Sequence, residues 1–129
     1  MNDTTIKLKL STREVEGLTN LARDIAMKYW GLDFNIPVII NPRLKRSTYG
    51  RFIYNKKTPL RIEISGYSIR NLYITEIIDL MKHEVCHYAC FIMQKQLSDG
   101  SRFFEGELKR INSTSAGLSY KSVRKTRGK

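Results

Sequence analysis

The stretch MKHEVCHYACF, residues 81–91, holds both histidines of this 129-residue chain, His83 and His87, four positions apart with Glu84 directly after the first. Around it Ile74, Ile77, Ile78, Met81, Val85, Tyr88 and Ile92 recur at helical spacing and make one continuous apolar face. The periodicity predicts a long helix, beginning at 71 or 74 and running to about 96, where Ser98-Asp99-Gly100 breaks it. At 100° per residue the two imidazoles lie about 40° apart on one side of that helix, so both can reach a single ion. Glu84, about 100° around from His83, would flank the ion rather than bind it.

H-E-x-x-H on a helix is a spacing that suits tetrahedral zinc, which brings the pKa of water toward about 7 and polarises a carbonyl. The neighbouring carboxylate can then carry a proton to the leaving amine. The competing interpretation is the solvated face of an amphipathic helix, shared with Glu76, Asp79 and Gln94. Metal binding is preferred because the apolar face continues through the motif and the chain spends its only two histidines there. A catalytic zinc takes three protein ligands, and with no histidine left the third is a carboxylate or thiolate. Asp99, just past the helix, and Glu105 or Glu107, on a following helix, are the candidates, with water alone as the remaining alternative. Cys90 would crowd the site and reads as a packing residue, while Asp99 could instead cap the last helix.

Upstream, Ser11-Thr12-Arg13-Glu14 has the spacing of a capping box, with Leu10 and Val15 placed as a staple. Val15, Leu18, Ala22, Ile25, Ala26 and Tyr29 continue at helical spacing to Gly31, a natural stop. From 35 the period changes to that of strands: Ile36, Val38 and Ile40 alternate, 51–54 is β-prone, and Leu60, Ile62 and Ile64 alternate against Arg61 and Glu63. Pro37 places the first strand at an edge or delays its start, and 55–59 reads as the turn between the second and third. Phe104, Leu108 and Ile111 mark a closing helix despite Gly106. The expected fold is therefore a single small α+β domain over 1–112: an N-terminal helix, a three-stranded sheet, the histidine-bearing helix and a C-terminal helix. A basic tail over 113–129 is expected to follow.

With 41% hydrophobic residues and no run approaching the roughly 18 apolar residues of a membrane span, the composition is that of a globular protein with no membrane partner. MNDTTIKLKL has no apolar h-region, so a cytoplasmic location is expected, and Cys86 and Cys90, four apart on one helix, are expected to be reduced. The absence of any second cysteine pair in a C-x-x-C arrangement excludes a structural zinc ribbon. A formal charge of +11 concentrates polyanions near the surface. Between Ile36 and Ile62 the chain carries Arg43, Lys45, Arg46, Arg51, Lys56, Lys57 and Arg61 and no acidic residue; Lys121, Arg124, Lys125, Arg127 and Lys129 form a second cluster. Tyr49, Phe52 and Tyr54 are interleaved with the first, an arrangement that suits phosphate contacts and base stacking, so nucleic acid is an expected partner.

Several landmarks then fall in a recognisable order: Trp30, Asn41-Pro42-Arg43-Leu44, Gly50-Arg51-Phe52, the strand over 60–65, MKHEVCHYACF, and Phe104 with Arg110-Ile111-Asn112. Over roughly 18–112 the chain thereby resembles the SprT-like family of zinc metalloproteases, the Spartan-related proteases, in a short form without their C-terminal zinc ribbon. The resemblance implies a zincin-like fold, Zn2+ held by His83 and His87, and Glu84 as catalytic base. Laid without gaps on the short bacterial members, the family's third histidine falls at Asp99, with Phe104 matching the aromatic that follows; laid on longer members it falls at Gly100. The implied activity is endopeptidase action on a protein substrate bound or crosslinked to DNA. The alternative is a SprT-like scaffold with weakened hydrolysis that serves as a basic nucleic-acid or protein-binding module.

Overall fold

A computed structural model describes residues 12–113. The sequence-predicted tail lies outside them except for Ser113, as do Leu10 and Ser11 of the capping motif. Helix α1 (Thr12–Trp30) is followed by strands β1 (Val38–Asn41), β2 (Gly50–Tyr54) and β3 (Pro59–Ser65), then α2 (Gly66–Asn71), α3 (Ile74–Ile92) and α4 (Arg102–Arg110). The α+β architecture expected from the periodicities is present, with one element more than the sequence announced. That element, α2, is a six-residue helix whose N-terminus is capped by Ser65, its Oγ accepting from the Ser68 amide at 2.9 Å. Ser68 Oγ in turn donates to the Tyr49 carbonyl at 3.0 Å, tying the helix to the residue before β2.

The sheet order is β1-β3-β2, with β1 parallel and β2 antiparallel to the central β3. Pro37 lacks the N–H an inner strand would need, and β1 begins after it, on an edge. At the β2–β3 turn Asn55 Oδ1 accepts from the amides of Lys57 and Thr58 at 3.1 and 2.8 Å, the local hydrogen bonding for which asparagine is favoured in turns. Strand β2 occupies the other edge, so one side of its backbone faces away from the sheet.

Leu18, Ala22, Ile25 and Ala26 of α1 pack against α3, and Ile62 and Ile64 of β3 are fully buried beneath them. Burying each leucine or isoleucine among them contributes roughly 1.5–3 kcal/mol. Helix α3 has a second apolar side, where Cys86 and Cys90 meet Phe104, Leu108 and Ile111 of the α4 region. Packing on both sides is why α3 is buried around most of its circumference, and why the solvated-face interpretation of His83 fails: His83 is 6% and Glu84 3% exposed. Gly31 ends α1 in the left-handed region at φ 64°, its amide reaching the Met27 carbonyl at 3.0 Å.

Candidate metal centre

The end of α3 builds the site. The helix stops at Ile92, several residues before the predicted 96, because Gln94 takes a left-handed conformation at φ 60°. The Lys95 amide then donates to the Cys90 carbonyl and the Gln94 amide to that of Phe91, at 2.9 and 3.1 Å, in a Schellman arrangement. This reversal turns 95–99 back along the helix. A tight turn follows, with the Ser101 amide on the Ser98 carbonyl at 3.0 Å and Gly100 at φ 83°, a conformation glycine adopts without Cβ strain. Asp99 precedes that glycine and faces α3.

Its Oδ1 lies 2.9 Å from His83 Nε2 and 3.3 Å from His87 Nε2. One ligand atom from each of the three residues falls within 4.8 Å of the others, so His83, His87 and Asp99 form a group that could hold a metal ion. Two features fit a divalent cation. His87 Nδ1 is 2.5 Å from the Leu97 carbonyl, which can only accept; Nδ1 therefore carries the proton and Nε2 offers a lone pair toward Asp99. Glu84, beside the histidines, is buried with Oε1 lacking any hydrogen-bond partner, and lines one cleft together with His83, His87 and Asp99. The hydrogen bond with His83, together with the neighbouring His87 ring, holds the Asp99 carboxyl well below the ordinary range, whereas burial pushes that of Glu84 up. Phe104, fully buried, stacks on His87 with ring centroids 4.1 Å apart and meets His83 edge-on at 5.2 Å. The rings thus have little room to turn.

The other candidate ligands point elsewhere. Glu105 Oε2 accepts from the Gly100 amide at 2.8 Å, and Glu107 Oε1 accepts from Trp30 Nε1 at 2.8 Å and pairs with Arg110. Cys90 packs in the apolar cluster with Cys86, as expected. Asp99 does not cap α4; Ser101 occupies that position.

The site lies at the floor of a cleft of about 560 Å³ between β2 and α3, open to solvent through Asp99, whose side chain is 58% exposed. Gly50 at the start of β2 is pressed against Glu84: a Cβ there would stand 3.4 Å from Oε2 and 3.1 Å from the Glu63 carbonyl. A second hollow of about 410 Å³ adjoins it through Thr48 and Arg51 and is also lined by Asn41, Arg43 and Lys45. Arg43, Lys45, Lys56 and Lys57 are exposed, and Arg46 lies over the Tyr67 ring at 5.3 Å. The expected stacking platform needs correcting, since Tyr49 and Phe52 are core residues and only Tyr54 of the three is exposed. Arg124, Lys125 and Arg127 lie outside the described residues.

Sequence reasoning missed Glu63, which alternation assigned to the face opposite Ile62 and Ile64. It is 2% exposed, and accepts from Asn41 Nδ2 and Arg51 Nε on Oε1 and from Arg61 Nε on Oε2, at 3.0, 2.8 and 2.7 Å. The available signal was a central strand flanked by two arginines, a setting in which a carboxylate can be buried once paired.

The fold and the site together define a small α+β domain with a potential metal centre on an H-E-x-x-H helix. The chain belongs to the SprT-like family, whose model matches residues 5–124. Among curated proteins named SprT-like, it is 36% identical to that of Staphylococcus carnosus over 60% of this chain and 49% of the relative, and 39% identical to one from Staphylococcus epidermidis over 55% and 44%. It is 29% identical to one from Bacillus cereus over 74% of this chain and 60% of the relative. The chain spans about half the length of the curated relatives it matches. No solved structure matches it significantly. Among the described residues no helix is long and apolar enough to cross a membrane.

Proposed function

We propose that the chain is a zinc endopeptidase that cuts proteins held on DNA, with His83, His87 and Asp99 as metal ligands and Glu84 as general base. The observation that carries this is the buried Glu84 Oε1, without a hydrogen-bond partner, beside three converging ligand atoms at the floor of an open cleft. Zinc bound there would supply Lewis acidity, acidifying a water molecule and polarising a peptide carbonyl. A desolvated carboxylate binds a proton readily, so Glu84 takes one from the attacking water and delivers it to the amide nitrogen of the departing segment. The Leu97 carbonyl holds His87 in the tautomer that ligation requires, and Phe104 fixes both rings in place. A substrate strand added to the free edge of β2 would run along the cleft with its main chain paired to the sheet. The hollow lined by Arg43, Lys45 and Arg51 supports the DNA part of the reading, because a phosphate backbone lying there would bring a bound protein to the mouth of the cleft.

The test is Glu84→Gln in the zinc-loaded protein, assayed on a DNA-bound protein substrate. Cleavage should fall by about 10²–10⁴-fold while zinc content is kept. Unchanged cleavage would remove Glu84 from the chemistry, and equal rates with and without DNA would remove the DNA requirement. A binding module with weak hydrolysis is favoured by one observation, the exposed carboxylate among the three donors, and would appear as DNA binding by wild type with no turnover.

A further inference from the structure

Strand β2 and helix α3 run alongside each other in matched steps. Gly50, Phe52 and Tyr54 occupy alternate positions of the strand and so share one face, turned toward the helix. On α3, Glu84, Tyr88 and Phe91 recur at i, i+4 and i+7 along one stripe. The two series meet rung by rung: Gly50 abuts Glu84, Phe52 meets Tyr88 edge-on at 6.2 Å, and Tyr54 lies over Phe91 with centroids 5.2 Å apart. At the last rung Tyr54 also stacks on Phe52 at 5.3 Å and 19°, yet it is 46% exposed. The β2–β3 register shifts opposite Ile53 and Tyr54, where β3 carries Leu60 as an extra residue, so the regular ladder ends at this rung. Tyr54 lines the same cleft as Glu84 and the metal-binding group.

We infer that Tyr54, backed by Phe91 and Phe52, is a specificity subsite that receives a bulky apolar side chain of the peptide substrate. The inference rests on the peptidase reading and adds a substrate preference to it. Seven helical residues from Glu84 to Phe91 rise roughly 10 Å, and four strand residues from Gly50 to Tyr54 span roughly 13 Å. An extended substrate advances at the same rate as β2, so the recognised side chain sits about three or four residues from the bond beside Glu84. A partly exposed ring already ordered by two aromatic neighbours loses little freedom when a second apolar group covers it, which is what makes such a ring an effective contact.

The experiment uses the zinc-loaded full chain and a set of unstructured peptides rich in Ala and Ser, in which one Phe is walked along the sequence and cleavage sites are read by mass spectrometry. Cuts should track the Phe at a constant offset of about three or four residues on one side, with kcat/KM about tenfold above the all-Ala peptide, the gain residing in KM. Tyr54→Ser should bring the Phe-to-Ala ratio to about one and erase the offset, and Tyr54→Phe should restore both. Cuts placed without regard to the Phe, or a ratio unaltered by Tyr54→Ser, would overturn the subsite. Should no peptide be cleaved either alone or with DNA added, the peptidase reading fails separately, and anisotropy with Glu84→Gln decides the subsite. In that arm a labelled Phe peptide should bind about tenfold more tightly than its Ala counterpart, and the difference should vanish on adding Tyr54→Ser. If Tyr54→Ser instead weakens a single-stranded oligonucleotide and leaves the peptides unaffected, the ring serves nucleobases and the inference is wrong.

Discussion

Replacing Glu63 by glutamine should destabilise the protein most at neutral pH and progressively less as the pH falls. Burial alone would raise this carboxyl, but hydrogen bonds from Asn41, Arg61 and Arg51, together with the Arg51 charge, outweigh it and lower the pKa from 4.5 to about 2. A group whose pKa is depressed on folding binds fewer protons in the native state than in the unfolded one, so its contribution is complete above 4.5 and disappears as pH falls through about 2. A depression of that size corresponds to roughly 3 kcal/mol. Arg51 and Arg61 keep 48% and 39% of their side-chain surface in water, and screening there brings the expected figure to about 2 kcal/mol. Urea unfolding of metal-free wild type and Glu63→Gln, at intervals from pH 6 to pH 2, isolates this group because the other carboxylates are common to both. The difference between the two stabilities should shrink by about 2 kcal/mol across the window. Parallel curves from pH 5 to pH 2 would mean that the carboxylate is not held as argued, and that Arg51 and Arg61 owe their positions to something else.

Asp99→Ala should lower zinc affinity by at least about 10–100-fold, read by competition with a chromophoric chelator, while the fold survives because the removed side chain is exposed; retention of full affinity would take Asp99 out of the coordination shell. Gln94→Gly should stabilise the protein by about 0.5–1 kcal/mol in urea melts, since glycine adopts φ 60° without the Cβ penalty, and a loss of stability would contradict the account of how α3 ends.

The histidine-bearing helix was legible because its apolar period runs straight through the motif, and the edge position of β1 because proline cannot donate to an inner ladder. The carboxylate that joins the two histidines was readable only as one of several. Choosing among them required knowing that Gln94 would enter the left-handed region, a conformation its residue type does not announce, and that Glu107 would be claimed by Trp30 and Arg110 from a distant part of the chain. Glu63 was hidden for a related reason. Alternation reports which face of a strand a residue occupies, but not whether the opposite face is also covered, and here the second half of β3 is buried on both. The same three-dimensional information removed Tyr49 and Phe52 from the expected stacking surface and left Tyr54.

All three side chains of the potential metal centre come from one short run of chain, Asp99 following His83 by sixteen positions. Closing so small a loop carries a modest entropic cost, which grows only with the logarithm of its length. The pincer can therefore assemble as soon as a single helix and its return turn have formed, and segments far away along the polypeptide can lengthen or shorten without disturbing its grip. Such a self-contained module is a suitable unit for transplantation onto another helical host.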